Sequence, residues 1–192
     1  MYCSSLSRVS FPSVSSVGLN AFTMCSALEG ISLPALTSLN SMAFQSCYNM
    51  SYAYLGGSSA DLLTSQSAFR YCSNLTDVSI PRAPTLASYM FANCSNLSTL
   101  VLPGTTNISG SVFQSCYHLL SLYVLASTMC TLAAVNAFIN TPISNYTTST
   151  GGVYGSIFVP SALLDTYKNA TNWKTYSARM VGLTDAEIAA LL

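Results

Sequence analysis

Apolar and polar positions alternate along this chain in a pattern that repeats every 22 or 25 residues. Phenylalanines recur at steps of 22, 25, 22, 22 and 25 residues, at Phe22, Phe44, Phe69, Phe91, Phe113 and Phe138. A cysteine follows three residues after each of the first five, and Cys3 fits one earlier unit. Self-similarity at a fixed period is the signature of a repeat protein.

The clearest copy of the unit runs from Phe91 to Pro103 and reads F-x-x-C-x-x-L-x-x-L-x-L-P. Its second half alternates apolar and polar residues, which predicts a half-buried strand that the proline ends. Equivalent strands are expected around residues 8–11, 30–33, 77–80 and 99–102. A second short extended piece is predicted around Val17, Leu39, Leu86 and Ile108, before the turn that brings each phenylalanine inward.

A unit of this length cannot enclose its own apolar face, so neighbouring units must stack and bury Phe on Phe, Cys on Cys and Leu on Leu. We therefore predict a mainly β solenoid, a leucine-rich repeat stack of short parallel strands in 22- and 25-residue repeats. It is expected to span residues 1–160 in about six to seven coils, with the first one truncated. The chain starts as if within a repeat, which indicates a piece of a longer protein.

The period stops at Ser161, and residues 161–192 are expected to form a small α-helical C-terminal cap. Ser161 is a candidate N-cap for a helix that carries Leu163, Leu164 and Tyr167 on one side. Residues 171–176 are expected to begin another short helical turn, and Thr184 and Glu187 form a capping box that predicts a last one. The N-terminal end of the stack has no equivalent cap, which suggests possible self-association there.

Charge is scarce: 6% of the residues are charged, with six cations and six acids, while 51% are hydrophobic. Ordinary soluble domains carry roughly 25% charged residues. A neutral chain with so few cations lacks the basic patch that nucleic-acid binding needs. No apolar run reaches the roughly 18 residues of a membrane span, so we expect no membrane insertion of this segment.

The F-x-x-C, Leu and L-P elements resemble the BspA-like, or Treponema-type, leucine-rich repeats of surface proteins from gut and oral bacteria, over about residues 1–160. The resemblance implies a non-catalytic binding or adhesion module of a cell-surface or secreted protein. Its ligand would be a protein or glycan of host matrix or of other cells. The alternative is a structural spacer in a larger surface or phage-encoded assembly, with no ligand of its own.

Seven cysteines invite metal or disulfide chemistry, but none forms C-x-x-C. In-register stacking keeps neighbouring Cβ vectors parallel, which does not suit a disulfide, so we predict free buried thiols. Cys130 lies off the register and is the candidate reactive thiol. His118 is the single histidine and the acids are scattered, so we predict no metal site, no cofactor, no catalytic residues and no enzymatic activity.

Residues five and seven positions after each cysteine point outward and should form one continuous strand face. We expect a cluster there that consists of Tyr52, Tyr54, Asp77, Thr99, Val101 and Tyr123. Tyrosine suits recognition because its ring is rigid and apolar while its hydroxyl is polar. The alternative is that β-favouring residues merely fill a strand surface.

Overall fold

The computed structural model describes residues 3–56 and 61–192. The start of the truncated first unit, residues 1–2, lies outside the described residues, and so do residues 57–60 of the first 25-residue unit. Short parallel strands form four sheets in the described part of the chain, two in each of two rows. The front row contains β2 (Gly30–Leu33), β4 (Tyr52–Leu55), β6 (Asp77–Ser79), β8 (Thr99–Leu102), β10 (Ser121–Val124), β12 (Ser156–Pro160) and β13 (Met180–Leu183). The second row contains β1 (Ser16–Val17), β3 (Ser38–Leu39), β5 (Leu63–Thr64), β7 (Thr85–Leu86), β9 (Asn107–Ile108) and β11 (Thr131–Leu132).

Within each sheet, equivalent positions of successive units pair in register; the front row is divided between β6 and β8, and the second row between β5 and β7. In the front row Ile31 lies opposite Ala53 and Ala53 opposite Val78, while Leu100 lies opposite Leu122 and Leu122 opposite Ile157. All pairings are parallel, and the short second strands predicted after each proline are confirmed. Parallel in-register strands with little helix fit a repeat solenoid.

The first predicted strand does not form: residues 8–11 are assigned no strand hydrogen bonding in the described structure. Only isolated contacts hold this segment, such as the Glu29 amide donating to the Ser7 carbonyl at 3.0 Å. Val9 is half-buried and Phe11 is 38% exposed, because this segment packs against one neighbouring unit only.

The phenylalanines stack as a continuous column through the core. Ring centroids of successive members from Phe22 to Phe138 lie 5.1 to 6.0 Å apart, with interplanar angles of 4 to 8°. Each ring from Phe44 onward is fully buried. The column therefore contributes both apolar burial and ring stacking at every unit.

The cysteines form a second ladder beside the rings and are hydrogen-bond donors as well as apolar fillers. Four successive thiols donate to the carbonyl of the phenylalanine one unit earlier: Cys47 to Phe22 at 3.0 Å, Cys72 to Phe44 at 3.1 Å, Cys94 to Phe69 at 3.2 Å and Cys116 to Phe91 at 3.0 Å. In the last unit Thr141 takes the cysteine position and donates to the Phe138 carbonyl at 2.7 Å. The side chain at the cysteine position thus satisfies a buried backbone carbonyl in each of these units.

Left-handed backbone conformations frame each phenylalanine turn. The residues two before and two after the phenylalanine have φ between 55 and 66° in the first five units: Asn20 and Met24, Met42 and Ser46, Ser67 and Tyr71, Tyr89 and Asn93, Ser111 and Ser115. This region disfavours side chains with a Cβ, and β-branched residues most. Two such residues per unit reverse the chain around the buried ring.

The left-handed turn predicts opposite effects for two substitutions of Asn93, whose φ is 63°. Asn93→Gly should leave the free energy of unfolding within about 0.5 kcal/mol, whereas Asn93→Val should lower it by about 1–2 kcal/mol, since a β-branched residue is strained there. Urea unfolding of both variants measures this. Thr99→Val on strand β8 is the control and should not destabilise. Equal stability of Asn93→Val and Asn93→Gly would contradict the strain.

The C-terminal segment mixes helical turns with a strand. A 3-10 turn (Ser161–Leu163) leads into α1 (Leu164–Asn169), a 3-10 helix (Trp173–Arg179), β13 and finally α2 (Asp185–Ala189). The capping box of Thr184 and Glu187 is confirmed, with the Thr184 amide donating to Glu187 Oε2 at 2.8 Å. Ser161 as N-cap was wrong, because it lies inside the 3-10 turn and its side chain makes no capping bond. Strand β13 was not predicted, and it extends the front row by pairing with β12.

Side chains of this segment bond to the backbone beside the last strand of the second row. The Cys130 amide donates to the Tyr167 hydroxyl at 2.7 Å, and the Trp173 indole donates to the Cys130 carbonyl at 2.7 Å. Asn172 donates to the Leu132 carbonyl at 2.8 Å, and the Tyr176 hydroxyl donates to the Val135 carbonyl. These groups stand where a further strand would pair, which supports a capping role for residues 161–192. The division at residue 160 stays a prediction.

Candidate functional site

Four front strands carry the six residues predicted for the outward face. Tyr52 and Tyr54 flank buried Ala53 on β4, and Asp77 begins β6. Thr99 and Val101 lie on β8, with Tyr123 on β10. Asp77, Thr99 and Tyr54 are exposed, while the other three are half-buried. Alternation along each strand therefore places all six away from the core.

Tyr52, Tyr54 and Asp77 meet and form a tyrosine cluster at the N-terminal half of the face. The Tyr52 and Tyr54 ring centroids lie 5.2 Å apart. The Tyr54 hydroxyl donates to the Asp77 carboxylate, and this hydrogen bond raises the pKa of Tyr54. The contact joins neighbouring units, so the cluster exists only when units stack.

Gly30 provides the floor of the tyrosine cluster. The Tyr52 ring lies directly over Gly30, and a Cβ built there would stand 2.2 Å from Tyr52 Cε1. The adjacent Glu29 accepts a hydrogen bond from Arg8 at 2.9 Å in an exposed ion pair, which raises the pKa of Arg8. The cluster is thus an aromatic surface with charged groups beside it.

A second aromatic pair lies further along the face. Tyr123 stacks on Phe158 of β12, with ring centroids 4.4 Å apart and an interplanar angle of 12°. Val101 is opposite Tyr123 in register, whereas Thr99 is opposite Ser121. Phe158 was not among the predicted site residues, although the alternation in Ile157-Phe158-Val159 carries the signal. The structure therefore resolves the expected single cluster into the tyrosine cluster and the Tyr123–Phe158 pair.

The C-terminal leucines come back to the front face between these two features. Leu191 and Leu192 line a groove of about 170 Å³ on the front face. The other lining residues belong to β6 and β8 or follow these strands directly: Val78, Ser79, Ile80, Pro81, Val101 and Pro103. Helix α2 itself has no fully buried residue. The face is therefore not open along its whole length.

Cys130 is not the reactive thiol expected from its position outside the register. Its side chain is fully buried, and burial raises the pKa of its thiol to about 12. Burial likewise raises the pKa of Cys47 and Cys116 to about 12 and that of Cys72 and Cys94 well above the usual range. All seven cysteines are free, and Cys3 is the exposed one.

Thiol accessibility gives a direct prediction. In the native protein at pH 8 a disulfide reagent such as DTNB should titrate one thiol quickly, that of Cys3, because thiolates react and buried thiols do not ionise. In the denatured chain all seven thiols should react. Cys3→Ser should abolish the fast phase and Cys130→Ser should leave it unchanged. A fast phase lost in Cys130→Ser would contradict the burial of Cys130.

The other titratable groups are dispersed. His118 is half-buried, and its Nδ1 lies 2.7 Å from the Ser95 carbonyl of the preceding unit, to which it donates. Asp61 contacts Arg82 at 3.4 Å, and Asp77 contacts Tyr54. Within residues 3–56 and 61–192 no group of three or more His, Cys, Asp or Glu side chains could hold a metal ion. No helix in that same part of the chain is long and apolar enough to cross a membrane.

Comparison with known proteins identifies the repeat. The model of the BspA type leucine rich repeat region matches residues 1–120 and 63–153, with 6 copies. No curated protein matches the chain. The crystal structure of a leucine rich cell surface protein from Faecalibacterium prausnitzii is similar, with a TM-score of 0.58 and 17% identity, over 89% of this chain and 52% of that one. The chain thus spans about half the length of that protein, and at this identity the likeness shows the fold alone. Because the family match extends over most of the sequence, the chain belongs to the BspA type leucine-rich repeat family.

Proposed function

We propose that this chain is a non-catalytic binding module of a cell-surface or secreted bacterial protein, and that its front face recognises a protein partner. The observation that carries the proposal is the tyrosine cluster, in which two rings of one unit and a carboxylate of the next converge on the strand surface. Tyrosine is enriched among residues that dominate protein interfaces, because a rigid ring offers much contact area for little lost entropy.

The surroundings of the cluster fit a protein rather than a nucleic acid. Arg8, Glu29 and Asp77 give the aromatic centre a rim with both signs of charge, and interfaces commonly combine an apolar centre with a polar rim. The second pair, Tyr123 and Phe158, lies on the same face and adds a further apolar contact. A glycan partner on this face is the alternative that the experiment below separates.

Family membership supports the proposed location. BspA type repeats resemble those of bacterial surface proteins, and the structurally similar protein from Faecalibacterium prausnitzii is described as a cell surface protein. Extracellular placement of this chain and its adhesive role rest on that likeness, which is an argument by analogy.

The test is binding of the purified chain to arrays of matrix proteins and glycans, beside two matched triple variants. The first, Tyr52→Ser/Tyr54→Ser/Tyr123→Ser, removes the front tyrosines. The second removes three exposed tyrosines of the phenylalanine turns: Tyr48→Ser, Tyr71→Ser and Tyr89→Ser. For each of the six tyrosines, at least one other unit carries serine at the equivalent repeat position, so both variants should fold.

We expect the parent and the turn variant to bind the same protein spots and the front variant to lose them. If the front variant lost glycan spots instead of protein spots, the partner of the front face would be a glycan. Binding retained by the front variant and lost by the turn variant would place the site on the turns and overturn the proposal.

A spacer role is the second candidate, favoured by the first unit of the stack. Phe11, Leu19 and Met24 are 38, 65 and 42% exposed there, and Phe11 and Phe22 line an apolar groove of about 190 Å³. A spacer would pair this end with another copy or with further repeats. Sedimentation velocity tests the first possibility: concentration-dependent dimers that Phe11→Ser/Leu19→Ser abolishes would support self-association, and a monomer at all concentrations would count against it.

A further inference from the structure

A cleft lies between the last phenylalanine turn and the 3-10 helix Trp173–Arg179. Two adjoining shallow depressions, of about 460 and 310 Å³ and open to solvent, share four lining residues, Ser144, Asn145, Thr175 and Tyr176. Together they are within the size range of small-molecule sites. The residues that line the cleft are not those of the tyrosine cluster or of the Tyr123–Phe158 pair.

The walls of the cleft are held in place by contacts beneath it. The Tyr176 hydroxyl donates to the Val135 carbonyl, and its ring packs edge-to-face on Phe138 at 5.1 Å. On the opposite wall Thr141 and Ser144 form a reciprocal capping box. A preformed site loses little conformational entropy when a ligand binds.

Exposed amide and hydroxyl groups line the rim. Asn136, Asn140, Asn145 and Thr175 are exposed on both walls of the cleft. A side-chain amide has two N–H donors and an acceptor oxygen, and a threonine hydroxyl has one donor and two acceptor sites. Asn140 Nδ2 donates to Ser115 Oγ at 3.4 Å and Asn145 Oδ1 accepts from Arg179, which leaves the other groups of the rim for a ligand. Such groups match the hydroxyls of a sugar, which donate and accept hydrogen bonds in the same way.

Apolar surface lies between these polar groups. Val135 and Ile139 are 47 and 44% exposed, and the ring of Tyr146 is 39% exposed beside Tyr117, with centroids 5.3 Å apart. An aromatic face packs well on the C–H face of a pyranose ring. The alternation of amides and apolar side chains suits a ligand that is itself polar at its edges and apolar on its faces.

Charge narrows the class of ligand. Arg179 is the one residue with a full charge among those lining the two depressions, all of which lie in the described part of the chain. Its guanidinium is already engaged, because it donates to Asn145 Oδ1 at 2.7 Å and lies 3.8 Å from the centroid of the Tyr154 ring. The rest of the lining consists of neutral amides, hydroxyls and apolar side chains, which favours an uncharged ligand.

We propose that this cleft is a carbohydrate-binding site for a neutral oligosaccharide, separate from the front face. Asn136, Asn145 and Thr175 would bond the sugar hydroxyls, and Tyr146 would pack on a ring face. Arg179 holds Asn145 in orientation and does not bind the ligand as a charge.

The experiment is saturation-transfer NMR and calorimetry of the whole chain with a panel of neutral hexose, xylose and N-acetylhexosamine oligosaccharides and their uronic acid counterparts. The test variant is Asn136→Ala/Thr175→Val, which removes one polar group from each wall. Its matched control is Asn74→Ala/Thr76→Val, which removes the same groups from an exposed surface elsewhere. Circular dichroism confirms that each variant folds.

We expect one or more neutral oligosaccharides to bind, with a loss of at least about tenfold in the test variant, as two lost hydrogen bonds imply, and no change in the control. Tyr146→Ser should lower the affinity for the same ligand. Absence of any neutral ligand, preference for the acidic sugars, or equal binding by test and control variants would overturn the proposal. If only the front-face triple variant lost sugar binding, the sugar site would lie on the front face, and the proposal of a site in the cleft would be wrong.

Discussion

Phe91→Ala should destabilise the protein by about 3–5 kcal/mol, the usual cost of removing a fully buried phenylalanine. Phe91 is fully buried at the middle of the column, with ring centroids 5.7 Å from Phe69 and 6.0 Å from Phe113. The substitution removes two stacking contacts and leaves a cavity between two units. Since single domains are stable by about 5–15 kcal/mol, this one change should remove a large share of the total. Guanidinium unfolding followed by circular dichroism measures it.

The control for Phe91 is Phe11→Ala at the end of the column. The Phe11 ring is 38% exposed and lies 6.2 Å from Phe22, tilted by 40°. Its removal should cost about 1 kcal/mol or less, since much of its surface already contacts water. Equal losses for the two variants would contradict a column whose stability comes from stacking between units.

Alkaline pH should unfold the protein cooperatively between about pH 9 and pH 12. Burial raises the pKa of Cys47, Cys116 and Cys130 from 9.0 to about 12 and that of Cys72 and Cys94 well above 9.0. Above pH 9 the unfolded chain therefore binds fewer protons than the folded one. Stability is complete below that pH and falls, by about 1.4 kcal/mol per pH unit for each thiol, until the folded thiols ionise as well. Because several thiols contribute together, their combined loss is large beside the stability of a typical domain.

One thiol can be removed to test this linkage. Around pH 9 about half of the unfolded Cys94 thiols are ionised, so Cys94→Ala should lower the slope of unfolding free energy against pH by about 0.7 kcal/mol per unit, whereas Cys3→Ala, at an exposed thiol, should change it far less. Urea unfolding at several values between pH 8.5 and 9.5 isolates the thiols, because most tyrosines ionise only at higher pH. An unchanged slope in Cys94→Ala would show that burial does not shift the thiol as described.

Periodicity was sufficient to predict the ladders and most of the strands, because each unit repeats the same apolar positions. It did not reveal the left-handed turns, because Met42, Tyr71 and Tyr89 occupy positions where glycine or asparagine would have been the signal. Residues 8–11 have the same alternating pattern as their neighbours and nevertheless form no strand. Local pattern carries no information on that difference.

For the candidate site, alternation correctly placed all six residues on the outward surface, since that depends only on the period of a strand. Which of them touch depends on stacking across 22 to 25 residues of sequence. The Tyr54–Asp77 hydrogen bond, the Tyr123–Phe158 stack and the return of Leu191 to the face are all contacts of this kind. The strand Met180–Leu183 was likewise not predicted from the sequence, because its four residues follow a helical pattern and form a strand by pairing with β12.

The central claim is that the front tyrosines bind a protein partner, and the most direct measurement is the affinity of the strongest array partner for three proteins. Titration calorimetry would compare the parent chain, the front variant Tyr52→Ser/Tyr54→Ser/Tyr123→Ser and the turn variant Tyr48→Ser/Tyr71→Ser/Tyr89→Ser. If the front tyrosines are hot spots worth about 2 kcal/mol or more, the dissociation constant should rise by about thirtyfold or more in the front variant. The turn variant should stay within about twofold of the parent. A front variant that binds as tightly as the parent would contradict the claim.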